Sequence, residues 1–304
     1  MILFIANAEN DPTKFLYDLI KEETNIPVFW LSVENLVKKG SFTVKNEGEN
    51  LNFTIKINDE TIDSKAIKII FLYQPPLFDK SWLSFKEELD ISYAQQEWYA
   101  SFNAMMLAQK HIKFINPVFC KFDLNSRLEQ ILILQQFGFK TVNIILTNDG
   151  KTALEYYNLC DRSVISRPVN HSYPVEYLMQ IPDLARLNKL YLCPVLFQKF
   201  IPGKKINVCL VGNKVLAQEI SFNSNNEICQ KNTEIPEDIK NKLIEVSKYL
   251  EFPWIFYEFI ISDKDNEYYA ISLNVVPDFN LMNELYGNLF IEAIREYLTE
   301  EYAQ

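Results

Sequence analysis

Tyr257-Glu258-Phe259-Ile260-Ile261-Ser262-Asp263-Lys264-Asp265-Asn266-Glu267-Tyr268-Tyr269-Ala270-Ile271-Ser272-Leu273-Asn274 reads as two apolar strands joined by a polar turn. Aromatic and β-branched residues fill both arms, and the Ser-Asp-Lys-Asp-Asn-Glu run between them supplies the turn. The second arm runs on into Val275-Val276-Pro277. Each arm holds polar groups in an apolar setting: Glu258 on the first, Ser272 and Asn274 on the second.

Working outward, residues 206–211 and 214–222 predict another hairpin, turning at Gly212-Asn213. Between the hairpins, residues 236–250 predict a helix with proline near its start. Residues 289–297 predict the last helix. On the N-terminal side, strands are predicted at 141–146, 163–168 and 195–201, with a helix at 152–159. Residues 125–137 predict a helix ending at Gly138. The first 117 residues alternate strand-like and helix-like segments, as an α/β subdomain would. The strands there are 2–6, 27–31, a hairpin of 42–44 with 51–57, 68–73 and 113–115. The helices are 13–23 and 88–110.

Across its 304 residues the chain is 48% hydrophobic and 14% aromatic, which excludes a disordered polypeptide and implies a sizeable core. A net charge of −10 argues against a nucleic-acid surface, which needs Lys and Arg gathered on one face. No apolar run approaches the ~20 residues that a membrane span requires. Met1-Ile2-Leu3-Phe4-Ile5-Ala6-Asn7 lacks the basic start of a signal peptide and reads as a first strand. Cys120, Cys160, Cys193, Cys209 and Cys229 include no Cys-x-x-Cys pair and read as reduced, mostly buried residues of a cytoplasmic protein. With His111 and His171 alone, a histidine-rich metal site is excluded. His111 reads as a surface or capping residue. His171, in the polar loop Val169-Asn170-His171-Ser172-Tyr173, is the better candidate for chemistry.

Several segments now join the last hairpin. Lys113-Phe114-Ile115-Asn116-Pro117, Asn125-Ser126-Arg127-Leu128-Glu129-Gln130 and Gln136-Phe137-Gly138-Phe139 follow the pattern "wiNP … n-x-K-x-x-Q-L … GF". Thr147-Asn148-Asp149 matches a "TND" at a helix start. Pro194-Val195-Leu196-Phe197-Gln198-Lys199-Phe200-Ile201 is similar to "PvlfQeyI", and Lys205-Ile206-Asn207-Val208-Cys209-Leu210-Val211-Gly212-Asn213-Lys214-Val215 to "D-I-R-V-t-v-v-G-d-k-v". This ordered set, spanning residues 68–280, resembles the ATP-grasp ligases. It is most like their peptide-modifying branch, the microviridin-type (graspetide) macrocycle ligases and the glutamate ligases that extend a protein tail. Leu72-Tyr73-Gln74-Pro75 sits where those peptide ligases carry a "WYRRP"-like segment.

The departures from that pattern are systematic. Two phosphate-contacting lysines of the family are Arg127 and Arg167 here, the latter in Ile165-Ser166-Arg167-Pro168 against "viKP". Arginine keeps a permanent charge, but its fork differs in geometry from an ammonium. The glycine-bearing loop that follows in the family corresponds to residues 169–187, which hold no glycine but include Pro174 and Pro182. The hinge acid is Lys199, the acid of "D-I-R" is Lys205, and its arginine is Asn207. Lys204-Lys205 by itself reads as a solvated loop pair after Gly203. The acid-x-Asn triplet that holds magnesium has become Ser272-Leu273-Asn274.

The resemblance implies an α/β (α+β) ATP-grasp architecture: an N-terminal α/β subdomain at 1–117, an opening helix and central lid at 118–200, and a C-terminal α+β subdomain at 201–304. It implies ATP or ADP bound through Arg127, Arg167, Gln198, Lys199, Phe200 and Ile201, with magnesium on Glu258 and Asn274, weakened by Ser272. Magnesium takes hard oxygen ligands, one or two carboxylates plus phosphates. Each lost donor to developing charge costs ~10²–10³ in rate. Two functions follow. The first is a diverged protein of a peptide-modification pathway that binds a peptide or a partner, such as a second ATP-grasp enzyme. The second is an active ligase joining a carboxylate to an amine or hydroxyl through an acyl-phosphate, with Asp278 as a further metal acid. Homodimers are common in the family. Tyr156, Tyr157, Tyr173, Tyr177 and Tyr191 read as lid packing or, alternatively, as the lining of a peptide groove.

Overall fold

Ile2–Ala6 (β1) is buried along its whole length, as an apolar run flanked by parallel neighbours must be. Lys14–Glu23 (α1) turns Leu16, Tyr17 and Ile20 inward and leads to Val28–Ser32 (β2). Ser32 then caps Val33–Lys39 (α2), its Oγ accepting from the Asn35 amide. Gly40–Glu47 (β3), Asn50–Ile57 (β4) and Glu60–Asp63 (β5) form a three-stranded antiparallel sheet. Ile69–Leu72 (β6), Glu88–Leu107 (α3) and Lys113–Ile115 (β7) follow. The parallel sheet has the order β2-β1-β6-β7. Leu3, Ile5, Ile70, Phe53, Ile55 and Phe102 join both sheets and α3 in one core.

The chain continues through Arg127–Gln136 (α4), Lys140–Thr141 (β8), Ile144–Thr147 (β9), Gly150–Leu159 (α5), Val164–Arg167 (β10) and Tyr177–Leu178 (β11). A long 3-10 stretch, Ile181–Leu192, precedes Val195–Lys199 (β12), Gly203–Val211 (β13), Lys214–Phe222 (β14) and Ile228–Asn232 (β15). Glu237–Leu250 (α6) leads to the hairpin Trp254–Ser262 (β16) and Tyr268–Asn274 (β17), then Phe279–Tyr286 (α7) and Asn288–Ala303 (α8). This computed structural model describes all residues except 9–10, 48–49, 73–76, 108, 110, 116–125, 170–175, 223–227 and 276.

The chain divides into two compact units. One comprises Met1–Phe119, Glu251–Trp254 and Val276–Gln304; the other comprises Cys120–Leu250 and Ile255–Val275. In the first, α8 buries Phe290, Ile291, Ala293, Ile294 and Leu298, with Arg295 on Glu23 and Glu301 on Lys113. The second holds a four-stranded sheet, β11-β10-β12-β9, and a six-stranded one, β15-β14-β13-β16-β17-β8.

The mixed α/β class expected from the sequence is the one observed. Residues 141–146 are not one strand, however. β8 joins the six-stranded sheet and β9 the four-stranded one, and Asn143 in the break accepts bonds through its carbonyl from Lys199 N (3.0 Å) and Tyr156 Oη (2.5 Å). The strand expected over 195–201 ends at Lys199. Cysteines are less uniformly buried than expected. Cys160 and Cys209 are, but Cys193 and Cys229 are exposed, the latter on the edge strand β15. His111 is exposed, with Nε2 3.4 Å from Ser64 O, in keeping with a surface residue. His171, Tyr173, the "WYRRP"-like segment past Leu72 and Cys120 lie outside the described residues. No helix among the described residues is long and apolar enough to cross a membrane.

Candidate functional site

Arg127 opens α4, and its backbone amide donates to Val169 O at 3.1 Å, tying the helix start to the segment just past β10. Arg167 ends β10 opposite Leu196 of β12. Both guanidinium side chains are buried, each residue being 5% exposed. Arg167 Nη2 meets Glu176 Oε2 at 2.9 Å. Among the described residues, neither Arg127 Nε nor Arg167 Nε has a hydrogen-bond partner. Burial, then the neighbouring Arg167 charge, pushes the Arg127 pKa down, while Glu176 and Glu258 oppose that shift. Isolated buried charge is costly, so a pair of arginines sharing this space needs anions nearby.

The second half of the site lies on three adjacent strands, β13, β16 and β17. Glu258 of β16 pairs directly with Ser272 of β17, because the register slips by one residue between Glu258 and Phe259 and skips Ile271. Ser272 Oγ donates to Glu258 Oε2 at 2.6 Å. Lys205 Nζ of β13 reaches Glu258 Oε1 at 2.5 Å. Both carboxylate oxygens are therefore engaged. Burial alone would push the Glu258 carboxyl up; the Lys205 charge, and hydrogen bonds from Lys205 and Ser272, outweigh it and hold the pKa at about 2.

Lys204 and Lys205 are thus strand residues and not a loop pair, since β13 starts at Gly203. Lys204 lies 3.5 Å from Glu219, and Lys205 turns to the opposite face, as the two-residue strand period demands. Asn207 lies two residues on from Lys205 and is buried, its Oδ1 without a partner among the described residues. Gln198 is buried on β12 with Oε1 likewise unpaired, between Ile165 and Ile144 of the flanking strands. Lys199 is half-buried at the strand end, and Phe200 and Ile201 follow it, with Phe200 N bonded to Ser163 O at 3.0 Å. Asn274 stands opposite Phe256, two residues beyond Ser272. Asp278 caps α7, accepting from Leu281 N at 2.9 Å. Glu176 was not marked by sequence; it is the partner of Arg167 nine residues earlier. Tyr156 and Tyr157 pack in a core, whereas Tyr177 and Tyr191 are exposed.

These residues do not fit the magnesium that the resemblance implies. Each oxygen of Glu258 is already engaged, one by an ammonium and one by a hydroxyl, Glu176 is held by Arg167, and no group of three or more His, Cys, Asp or Glu suited to a metal occurs among the described residues. The Lys205–Glu258 pair also predicts an acid response. The folded-state pKa of Glu258 lies below its ordinary 4.5, so its contribution is complete above about pH 4.5 and is lost as pH falls towards 2. Glu258→Gln is expected to lower stability at neutral pH, and its difference from wild type should shrink below pH 4.5. Urea midpoints measured from pH 3 to 7 check this; a pH-independent difference would contradict the pairing.

No family model matches the chain, and no curated protein matches it. Solved structures do. The macrocyclase MdnC of Microcystis aeruginosa MRC, bound with its precursor peptide MdnA, aligns over 97% of this chain and 98% of its own, at 17% identity and a TM-score of 0.80. A RiPP-associated ATP-grasp ligase of Chryseobacterium gregarium, in complex with ADP and a leader and core peptide, aligns over 99% and 96%, at 20% identity and a TM-score of 0.81. The ATP-grasp ligase PsnB, complexed with a minimal precursor, Mg and ADP, aligns over 97% and 96%, at 14% identity and 0.77. Over 97–99% of its length, this chain has the ATP-grasp fold in the form seen in these peptide-bound structures.

Proposed function

We propose that this chain is an ATP-grasp-fold protein of a peptide-modification pathway that binds a peptide or partner protein and no longer activates carboxylates. The observation carrying this reading is the capture of both Glu258 oxygens by Lys205 and Ser272, which removes the acidic donor set that carboxylate activation needs. Asn207, a neutral residue at the family's arginine position, points the same way, because developing negative charge on an acyl-phosphate would lack a cation there. A peptide role is supported by Tyr177, Leu178, Ile181, Tyr191 and Leu192, large apolar side chains left exposed around the 3-10 stretch. The structural neighbours bind precursor peptides.

A second reading, an active ligase using Arg127 and Arg167 on nucleotide phosphates, is favoured by one observation: two buried guanidiniums, of which Arg167 is paired with the half-exposed Glu176 and both keep an unpartnered Nε among the described residues. It requires Lys205 to leave Glu258 so that a metal can enter. The test is ADP release from Mg-ATP, alone and with synthetic peptides rich in Asp, Glu, Lys and Thr. Wild type and Glu258→Ala should both stay at background. Peptide-stimulated release that Glu258→Ala abolishes would overturn the proposal and establish the ligase.

A further inference from the structure

The cations of the second unit outnumber its acids where they meet. Arg127, Arg167 and Lys205 face Glu176 and Glu258, in a chain whose overall charge is −10. The guanidiniums are nine-tenths buried or more, with unpartnered Nε atoms among the described residues. Lys205 differs: its side chain is 48% exposed, against 19% for Glu258. An ammonium has three donors, so one N–H can hold Glu258 while others stay available to a ligand. A divalent ion entering here would have to displace that ammonium from Glu258 and sit among like charges, with the other acid, Glu176, already held by Arg167.

We propose that the Lys205 ammonium is a built-in substitute for a divalent cation, and that with Arg127 and Arg167 it forms a site taking the diphosphate of a nucleotide without magnesium. Glu258 and Ser272 are the positioning residues: they fix the ammonium and touch no ligand themselves. This rests on the reading that the ATP-grasp cleft is kept without its metal centre. The chemistry is one of binding only; no bond is made or broken.

Titration calorimetry of the full chain with ADP, in EDTA and then in magnesium, tests it. The expected dissociation constants agree within about twofold between the two buffers, and Lys205→Ala weakens binding in EDTA roughly tenfold to a hundredfold, the loss of one hydrogen bond to a charged group. Lys205→Arg, which keeps the charge, retains most of the affinity. The double variant Lys205→Asp with Ser272→Glu rebuilds an acidic set. It should bind Mn²⁺, read by electron paramagnetic resonance, and should need a divalent ion to bind ADP. Circular dichroism melting of each variant separates a lost site from a lost fold, and the wild-type comparison of buffers needs no variant. No ADP binding in either buffer overturns this inference and leaves the proposed function standing. Binding that requires magnesium overturns this inference, and the proposed function falls with it only if peptide also stimulates ADP release. Binding in EDTA that Lys205→Ala leaves intact assigns the affinity to the arginines and overturns the role of Lys205.

Discussion

Phe259→Ala is expected to destabilise the second unit by about 3–5 kcal/mol, the usual cost of emptying a fully buried aromatic site. Phe259 has no solvent exposure and sits among rings from three directions: Phe139 at 5.8 Å, Tyr268 at 6.2 Å and Tyr257 at 6.4 Å between centroids. Tyr257 is itself buried and donates to Leu243 O, so it is held away from the space that the substitution would open. A cavity that cannot collapse keeps its full cost. Urea denaturation with hydrogen exchange of the β16 and β17 amides reads the loss where it falls. A cost below about 1 kcal/mol would mean that the rings repack and that this cluster does not anchor the hairpin.

Gly203→Ala is expected to cost about 1–3 kcal/mol or more and to disturb the site as well. A Cβ at Gly203 would lie 2.1 Å from Ile261 O, 2.9 Å from Ile261 C and 2.8 Å from Ile260 Cγ2. Two of these atoms belong to backbone that cannot rotate aside. β13 must then draw away from β16 at this end. Lys205, two residues further along β13, is carried off Glu258, so the acid-dependent stability described for that pair should diminish together with the midpoint. Urea midpoints of Gly203→Ala from pH 3 to 7 measure both effects. An unchanged midpoint would mean that the two strands do not approach as closely as described.

The features legible in the sequence were those set by local pattern. The final hairpin, the Gly212 turn with its φ of 57°, and α6 all follow from alternation, turn formers and periodicity within one segment. α2 and α7 were missed. Each is short, and the sign of each is a single capping side chain, Ser32 and Asp278. The Ile181–Leu192 stretch has a helical apolar pattern, yet it winds as a 3-10 helix. Site residues were legible as positions and not as partners. Arg127, Arg167 and Glu258 stand out against the family pattern. That Lys205 would be bound to Glu258 depends on two strands becoming neighbours, and that Ser272 would face Glu258 depends on one skipped residue, Ile271. Neither event leaves a mark in the residues around it.

The division of the chain into units has a consequence in time. The second unit is complete once residue 275 has been made. The first draws on Met1–Phe119, Glu251–Trp254 and Val276–Gln304, so α8 and its Arg295–Glu23 pair can join it only after every residue of the second unit has been made. Domains fold as units while the ribosome extends the chain, ordinarily from the N-terminus onward. Here the core of the first unit's sheets is made before the second unit, and its α8 after it.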